Sequence, residues 1–124
     1  MNDCIIGIGS NINPENNIPE SLALLKQQVE IIAISSWVKT APIGITDQDD
    51  FINGAVRIRT ALSRDSLFNY LKKIEDKLGR DRTLPKFGPR TIDLDIVVWN
   101  KIIIDNDYYT RDFMKNAVNE LWQD

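Results

Sequence analysis

The chain has 124 residues, of which 43% are hydrophobic and 27% are charged, and its formal net charge is −3. This length allows one modest hydrophobic core, so we expect a single domain over residues 1–124, and the ordinary balance of residue types excludes a disordered protein. No apolar run approaches the roughly 20 residues of a membrane helix, and the mild acidity gives no sign of nucleic-acid binding.

Histidine and cysteine usage limits the chemistry further. The sequence has no histidine, which excludes His-based acid–base catalysis and most zinc sites. Its one cysteine, Cys4, has no partner for an internal disulfide, so we expect a cytoplasmic protein in which Cys4 is a small buried hydrophobe. Any catalysis must therefore use carboxylates, arginine, lysine, hydroxyls and a hard metal ion.

The first half of the chain predicts a strand, a helix and two further strands. The apolar run Ile5–Gly9 predicts a buried strand. A helix should begin near Pro19, because apolar residues follow it at helical spacing up to Val29. A run rich in β-branched residues predicts a second strand over Ile31–Thr40. After the polar loop 46–50, the third strand is predicted over Phe51–Thr60.

The second half predicts a helix and a fourth strand. Ser63 is a suitable N-cap, and Gly79 is suited to the C′ position that ends the helix. The charged loop 80–88 leads to a strand over Ile92–Trp99. In the remaining segment, 100–124, the candidate helix is Phe113–Trp122.

The predicted order βαββαβ indicates an α+β, ferredoxin-like fold, with an antiparallel sheet and both helices on one face. The other face would then be free to bind a ligand. Phe51 and Asn53 should lie on that face, because Ile52, Val56 and Ile58 alternate with them along the strand.

Asp93 and Asp95 are two residues apart on the fourth predicted strand, so their side chains share a face roughly 7 Å apart. Such a pair alone is more often a solvated strand face than a metal site. Here the strand carries no other charge and follows a basic loop, which favours a cation between the carboxylates. Without histidine or cysteine ligands, Mg²⁺ is the first candidate.

Arginines precede this carboxylate pair, at Arg80, Arg82 and Arg90. Because Mg²⁺ usually completes its octahedron with substrate phosphates, carboxylates beside arginines predict a phosphoryl- or pyrophosphoryl-transfer site that uses ATP. The sequence lacks a P-loop and a complete dinucleotide-binding glycine motif, so arginine-rich loops are the expected means of holding the nucleotide.

Four segments resemble the 6-hydroxymethyl-7,8-dihydropterin pyrophosphokinase family, and together they cover residues 5 to about 99. They are Ile8-Gly9-Ser10-Asn11, Thr40-Ala41-Pro42-Ile43-Gly44, Phe51-Ile52-Asn53-Gly54-Ala55-Val56, and Leu78-Gly79-Arg80-Asp81-Arg82 running on to Phe87-Gly88-Pro89-Arg90-Thr91-Ile92-Asp93-Leu94-Asp95. The last of these is long and highly specific.

The resemblance implies a ferredoxin-like fold and the transfer of pyrophosphate from ATP to a pterin hydroxymethyl group, releasing AMP. It implies that two Mg²⁺ ions bind Asp93 and Asp95 and that Arg80 and Arg90 assist the transfer. The implied ATP contacts are Glu75, Arg82, Lys86, Phe87 and Arg90. The implied pterin contacts are Thr40, Ala41, Pro42, Ile43, Phe51, Asn53 and Asp93.

The sequence departs from the family pattern beyond Trp99. The family's Pro-His segment has no counterpart, and the connection is shorter. Arg111-Asp112-Phe113-Met114 resembles the family's Arg-x-Phe segment, which implies an ATP contact at Arg111 and a second pterin-stacking ring at Phe113.

Two alternatives to an active enzyme remain open from the sequence. One is a catalytically weak or inactive pterin- or nucleotide-binding paralogue. The other is a ferredoxin-like interaction or RNA-binding module that uses the open sheet face. The carboxylate pair argues against the second alternative, because without a metal it would repel phosphates.

Overall fold

An antiparallel sheet with helices on both faces forms the fold, which a computed structural model describes for residues 1–122. The elements are β1 (Asn2–Ser10), α1 (Pro14–Leu25), β2 (Glu30–Ile34), β3 (Val38–Thr40), β4 (Phe51–Thr60), α2 (Arg64–Lys77), β5 (Asp93–Trp99), β6 (Ile102–Ile103), α3 (Asp107–Thr110) and α4 (Asp112–Leu121). The sheet order is β2-β4-β1-β5-β6, and β3 also pairs with β4. The predicted α+β class is confirmed.

The main core lies between the sheet and the pair α1 and α2. Ile6 and Ile8 of β1 pack there with Leu25 of α1 and with Leu67 and Leu71 of α2. These side chains follow the period of two along the strand and the helical period along α1 and α2, as the sequence predicted. This layer fixes the position of β5, because Leu94 belongs to the same cluster.

The ends of α2 are those that the sequence predicted. The Ser63 hydroxyl accepts a hydrogen bond from the Ser66 N–H at 3.1 Å, which caps the first turn. At the other end, Gly79 has a φ of 87°, a left-handed conformation that glycine adopts without strain. The Arg80 N–H then reaches back to the Glu75 carbonyl at 3.0 Å, which completes a Schellman turn.

The expectation that the second sheet face is free, with helices on one face only, is wrong. Helix α4 packs on that face, where Met114, Ala117 and Val118 form a second cluster with Ile5 and Ala55. Burial of this apolar stripe drives the docking. The part of the face that carries Asn53 and Asp93 stays open and faces a cavity.

Two predicted boundaries also differ. Helix α1 begins at Pro14, not near Pro19, because Pro14 occupies the first helical turn after a left-handed Asn13. The second predicted strand is divided into β2 and β3. Between them the Ser35 hydroxyl accepts from the Ala55 N–H at 2.8 Å, and Trp37 packs directly on Gly54.

Cys4 is fully buried in the main core, which confirms the prediction that it is a small buried hydrophobe. Burial raises the pKa of its thiol to about 12, so almost no thiolate is present at neutral pH. We therefore expect a maleimide or iodoacetamide to leave the folded protein unmodified and to react once urea unfolds it. Rapid labelling under native conditions, followed by mass spectrometry, would contradict this burial.

Among residues 1–122, no helix combines the length and the hydropathy needed to cross a membrane.

Candidate active site

The strand register assembles the site on the sheet face that also carries α4. Gly9 of β1 lies opposite Asn53 of β4 on one side and opposite Asp93 of β5 on the other. Gly7 lies opposite Asp95 in the next row on this face. Directly opposed residues point the same way, so the two carboxylates and the amide of Asn53 surround a floor made of glycine backbone.

A cavity of about 300 Å³ lies on this floor. It is lined by Gly9, Thr40, Ala41, Ile43, Phe51, Asn53, Lys86, Phe87, Gly88, Arg90, Asp93, Asp95, Asp107, Arg111 and Phe113. Twelve of the residues that the sequence predicted for the site therefore share one cavity wall. Pro42, Glu75, Arg80 and Arg82 were also predicted and do not line it.

Asp93 is held from two sides by arginines. Arg80 Nη1 lies 3.1 Å from Asp93 Oδ1, and Arg90 Nη1 lies 2.8 Å from Asp93 Oδ2. Arg90 is itself fixed, since its backbone N–H donates to Asn11 Oδ1 at 2.8 Å and its guanidinium donates to the Lys86 carbonyl. The orientation of Asp93 is therefore set before any ligand arrives.

Asp95 has a different environment. Among residues 1–122, the basic side chains that form ion pairs contact Asp93 and other acids but not Asp95. Burial, and then the negative charge of Asp93, raise the pKa of Asp95 to about 8. A half-buried carboxyl with a like charge beside it and no ion pair of its own is suited to bind a cation.

The donor set fits Mg²⁺, the ion that the sequence predicted. Asp93 and Asp95 supply hard oxygen ligands from adjacent positions on one strand face, and the cavity leaves room for water and phosphate oxygens. In the described part of the chain, no group of three or more acidic, histidine or cysteine side chains could enclose an ion. The remaining ligands of Mg²⁺ would therefore be water molecules and, when a phosphate ligand is bound, its oxygens.

Two loops that line the cavity, 41–50 and 80–91, contact each other. Asn11 Nδ2 donates to Gln48 Oε1 at 2.8 Å, and Gln48 Nε2 donates to the Phe87 carbonyl. Gly44 packs against the Phe87 ring so closely that a Cβ there would lie 2.9 Å from a ring carbon. Loop 41–50 is thus fastened to loop 80–91, and both face the same cavity.

Arg82 lies on the outer side of this second loop. Its guanidinium contacts Asp76 Oδ1 at 3.0 Å and Glu75 Oε1 at 3.1 Å, so it rests on α2 and not over the cavity. Lys86 stands nearer the cavity, where its ammonium lies 5.4 Å from the centre of the Phe87 ring. The loop therefore carries cations on both of its sides.

The opposite wall is aromatic and polar. Phe51 and Phe113 both line the cavity, and Asn53 donates from Nδ2 to Thr40 Oγ1 at 2.6 Å. Asn53 is 8% exposed, so its amide is fixed at the cavity edge. Aromatic rings beside an amide suit a flat heterocycle with hydrogen-bonding edges.

Asp107 is a cavity residue that the sequence did not predict. It begins α3, and its Oδ1 lies 4.0 Å from Arg111 Nε, so the two side chains stand together at the cavity rim. Burial, and then the charge of Asp105, raise the pKa of Asp107. No pattern in the chain pointed to Asp107, because the segment before Arg111 lacks a recognisable motif.

A second cavity, of about 470 Å³, adjoins Asp95 on its other side. Phe68 and Arg64 of α2 line it, together with Ile96 and Ile104. Phe68 is 51% exposed, and Lys72 lies 5.1 Å above its ring. Asp95 therefore borders both the aromatic cavity and a second cavity that has an exposed ring, whereas Asp93 lines only the first.

The fold and these two cavities define a class of α+β protein with a carboxylate pair beside arginines and an aromatic-lined cavity on the open part of its sheet. The family model for 7,8-dihydro-6-hydroxymethylpterin-pyrophosphokinase matches residues 5–123, and the chain belongs to that family.

Individual relatives agree with this assignment. The chain is 39% identical over 109 residues to the 2-amino-4-hydroxy-6-hydroxymethyldihydropteridine pyrophosphokinase of Bacillus subtilis, an alignment that covers 86% of the chain and 65% of that protein. It is 37% identical over 108 residues to the protein of the same name from Haemophilus influenzae, covering 85% and 67%. It is 39% identical over 107 residues to a folate synthesis bifunctional protein of Arabidopsis thaliana, covering 85% and 22%. The chain thus spans about two thirds or less of the length of these relatives.

Proposed function

We propose that the protein transfers pyrophosphate from ATP to the hydroxyl group of 6-hydroxymethyl-7,8-dihydropterin, giving AMP and the pterin diphosphate, as a step of folate biosynthesis. The observation that carries this proposal is one cavity that combines the pair Asp93 and Asp95, the cation Arg90, and the rings Phe51 and Phe113. The names of the relatives support the same reaction.

The pterin would bind in the first cavity, with its ring between Phe51 and Phe113. Asn53 would supply an amide to the edge of the ring, and the backbone of residues 40–43 would complete that edge. This arrangement would direct the hydroxymethyl group towards Asp93. The pterin pocket would thus orient the acceptor oxygen without a covalent intermediate.

ATP would place its phosphates between the two cavities and its adenosine in the second one, beside Phe68 and Ile96. Two Mg²⁺ ions held by Asp93 and Asp95 would neutralise phosphate charge and orient the β-phosphorus when bound. Arg90 lies at the cavity wall, where it can donate to phosphate oxygens as charge develops. Lys86 and Arg111 line the same space and would hold the nucleotide from either side.

We also propose that the core is ferredoxin-like and that the chain forms one domain. If β2 and β3 are counted as one interrupted strand, the order β2-β4-β1-β5 with α1 and α2 on one face supports that fold. Strand β6 and helices α3 and α4 are then additions to the core.

The decisive experiment is a coupled assay for AMP formation with ATP, Mg²⁺ and the pterin alcohol. We expect AMP to form only when the pterin is present. Calorimetry with a non-hydrolysable ATP analogue, and separately with the pterin, distinguishes the alternative of an inactive paralogue. Binding of both ligands without AMP formation would reject the enzyme and favour that paralogue.

Gly9 offers a test of the pterin pocket. A Cβ at Gly9 would lie 2.6 Å from Asn53 Oδ1, so Gly9→Ala should rotate the amide away from Thr40. The loss of about one fixed hydrogen bond should weaken pterin binding roughly tenfold. Calorimetry measures the pterin affinity of the variant. Its affinity for the ATP analogue should stay within about twofold of the wild-type value, because Gly9 does not line the second cavity. If Gly9→Ala binds the pterin as tightly as the wild-type protein does, Asn53 does not contact the pterin.

A further inference from the structure

A fully buried carboxylate, Glu75 of α2, lies directly behind β5. Its side chain has no exposed surface. Oε2 accepts from the Leu94 N–H at 2.7 Å and lies 3.1 Å from Arg80 Nη1. Oε1 lies 3.2 Å from Lys72 Nζ and 3.1 Å from Arg82 Nη2. Each oxygen therefore has two partners.

This geometry leaves no side for a nucleotide to approach Glu75. A ligand that bound the carboxylate would have to displace the Leu94 N–H or one of the three basic side chains. The loss of such a partner by a buried charged group is unfavourable in free energy. The implied role of Glu75 as an ATP contact therefore does not agree with its surroundings. Its partners are instead the backbone between the two aspartates and an arginine that holds Asp93.

The contact with Arg80 has two parts. The side chain of Glu75 pairs with the guanidinium, and its backbone carbonyl accepts from the Arg80 N–H at 3.0 Å. Arg80 Nη1 then reaches both Asp93 Oδ1 at 3.1 Å and the Ile92 carbonyl at 3.2 Å. Glu75 thus holds Arg80 at both its backbone N–H and its guanidinium, and the guanidinium of Arg80 orients Asp93.

We propose that Glu75 is a positioning residue, which acts through Arg80 and the Leu94 N–H to hold Asp93 and Asp95 in place for Mg²⁺ without touching the nucleotide. Its effect on turnover depends on the function proposed above, whereas its effect on the metal site does not. Glu75 also shares the charge of Arg80 with Asp93. Without that share, Arg80 would pair with Asp93 alone and compete more strongly with the cation.

Glu75→Gln tests this, because it keeps the size of the side chain and an oxygen for Leu94 while it removes the charge. We expect Mg²⁺ binding without nucleotide, measured by calorimetry, to weaken roughly 10- to 100-fold, as is usual when a partner that orients metal ligands is lost. The affinity for a metal-free ATP analogue should change little. The kcat should fall by a similar factor, with a smaller change in KM for ATP.

Asp76→Asn is the matched control. It removes the same charge from the next residue of α2, but Asp76 is 63% exposed at its side chain, and within residues 1–122 its ion-pair partner is Arg82 alone. Mg²⁺ affinity should change by about twofold or less. Equal effects of the two substitutions would mean that Glu75 acts only through its contribution to the net charge, and would overturn the proposal.

Arg80→Gln tests the route of the effect. If Glu75 acts mainly through Arg80, the double variant Glu75→Gln/Arg80→Gln should have nearly the kcat of Arg80→Gln alone. Losses that multiply would overturn the route through Arg80. If the wild-type protein shows no pyrophosphoryl transfer, the Mg²⁺ titrations still decide the role of Glu75.

A measurement on the wild-type protein avoids any doubt about folding of the variants. The Leu94 amide should exchange its hydrogen slowly, because it is buried on Glu75, and it should stay protected when Mg²⁺ and the ATP analogue are added. If Glu75 contacts the nucleotide directly, the Leu94 N–H would lose its acceptor and exchange faster. That result would overturn the positioning role.

Discussion

Asp95→Asn should abolish pyrophosphoryl transfer while it leaves the fold intact. The substitution keeps the shape of a half-buried side chain but removes the charge that a cation requires. Loss of metal stabilisation worth several kcal/mol corresponds to a fall in turnover of about 10³-fold or more. The coupled AMP assay measures this. Near-normal AMP release by the variant would reject Asp95 as a metal ligand.

At alkaline pH and without Mg²⁺, the same variant should be more stable than the wild-type protein. Because burial raises the pKa of Asp95 to about 8, the folded state holds this proton more tightly than the unfolded state does. The contribution of Asp95 to stability is therefore fully present below its ordinary pKa, near 3.8, and is lost as the pH rises through about 8. Asp95→Asn has no proton to lose, so its melting temperature should depend less on pH.

Thermal unfolding in EDTA at several pH values measures this difference. Asp47→Asn is the control, because Asp47 is exposed and lies outside both cavities. It should leave both turnover and the pH dependence of unfolding unchanged. If the wild-type protein is as stable at alkaline pH as the Asp95→Asn variant, the pKa of Asp95 is not raised in the folded state.

The sequence predicted this pair well because its signal is local. Two aspartates at a spacing of two on a strand must share a face, whatever surrounds them. The helix ends at Ser63 and Gly79 were predicted for the same reason, since a cap depends on a few consecutive residues. The basic loop before β5 was likewise readable, because Arg90 is only three residues from Asp93.

Features that depend on distant contacts were not predictable in this way. The division between β2 and β3 follows from Trp37 packing on Gly54, which are apart in sequence. The position of α4 on the second sheet face depends on the glycine at position 7, which leaves space for Met114. Glu75 had a weak signal, since it lies one turn after the buried Leu71, but only the structure reveals its four partners.

Arg90→Ala is the second substitution expected to have a large effect. Arg90 Nη1 contacts Asp93 at 2.8 Å, and the side chain also lines the cavity in which the phosphates would lie. Loss of a fixed donor that stabilises charge in the transition state typically lowers turnover by about 10²-fold or more. We expect kcat in the AMP assay to fall by this factor, with a smaller effect on pterin affinity.

Arg90→Lys separates charge from geometry. Lysine keeps the positive charge but cannot contact Asp93, the Lys86 carbonyl and a phosphate oxygen with one planar group. If the planar arrangement matters, Arg90→Lys should lose most of what Arg90→Ala loses, whereas recovery to near wild-type kcat would show that charge alone suffices. Arg59→Ala is the matched control, because Arg59 is exposed on β4 and lies outside both cavities. A loss with Arg59→Ala as large as that with Arg90→Ala would mean that general charge, and not the position of Arg90 beside Asp93, supports the transfer.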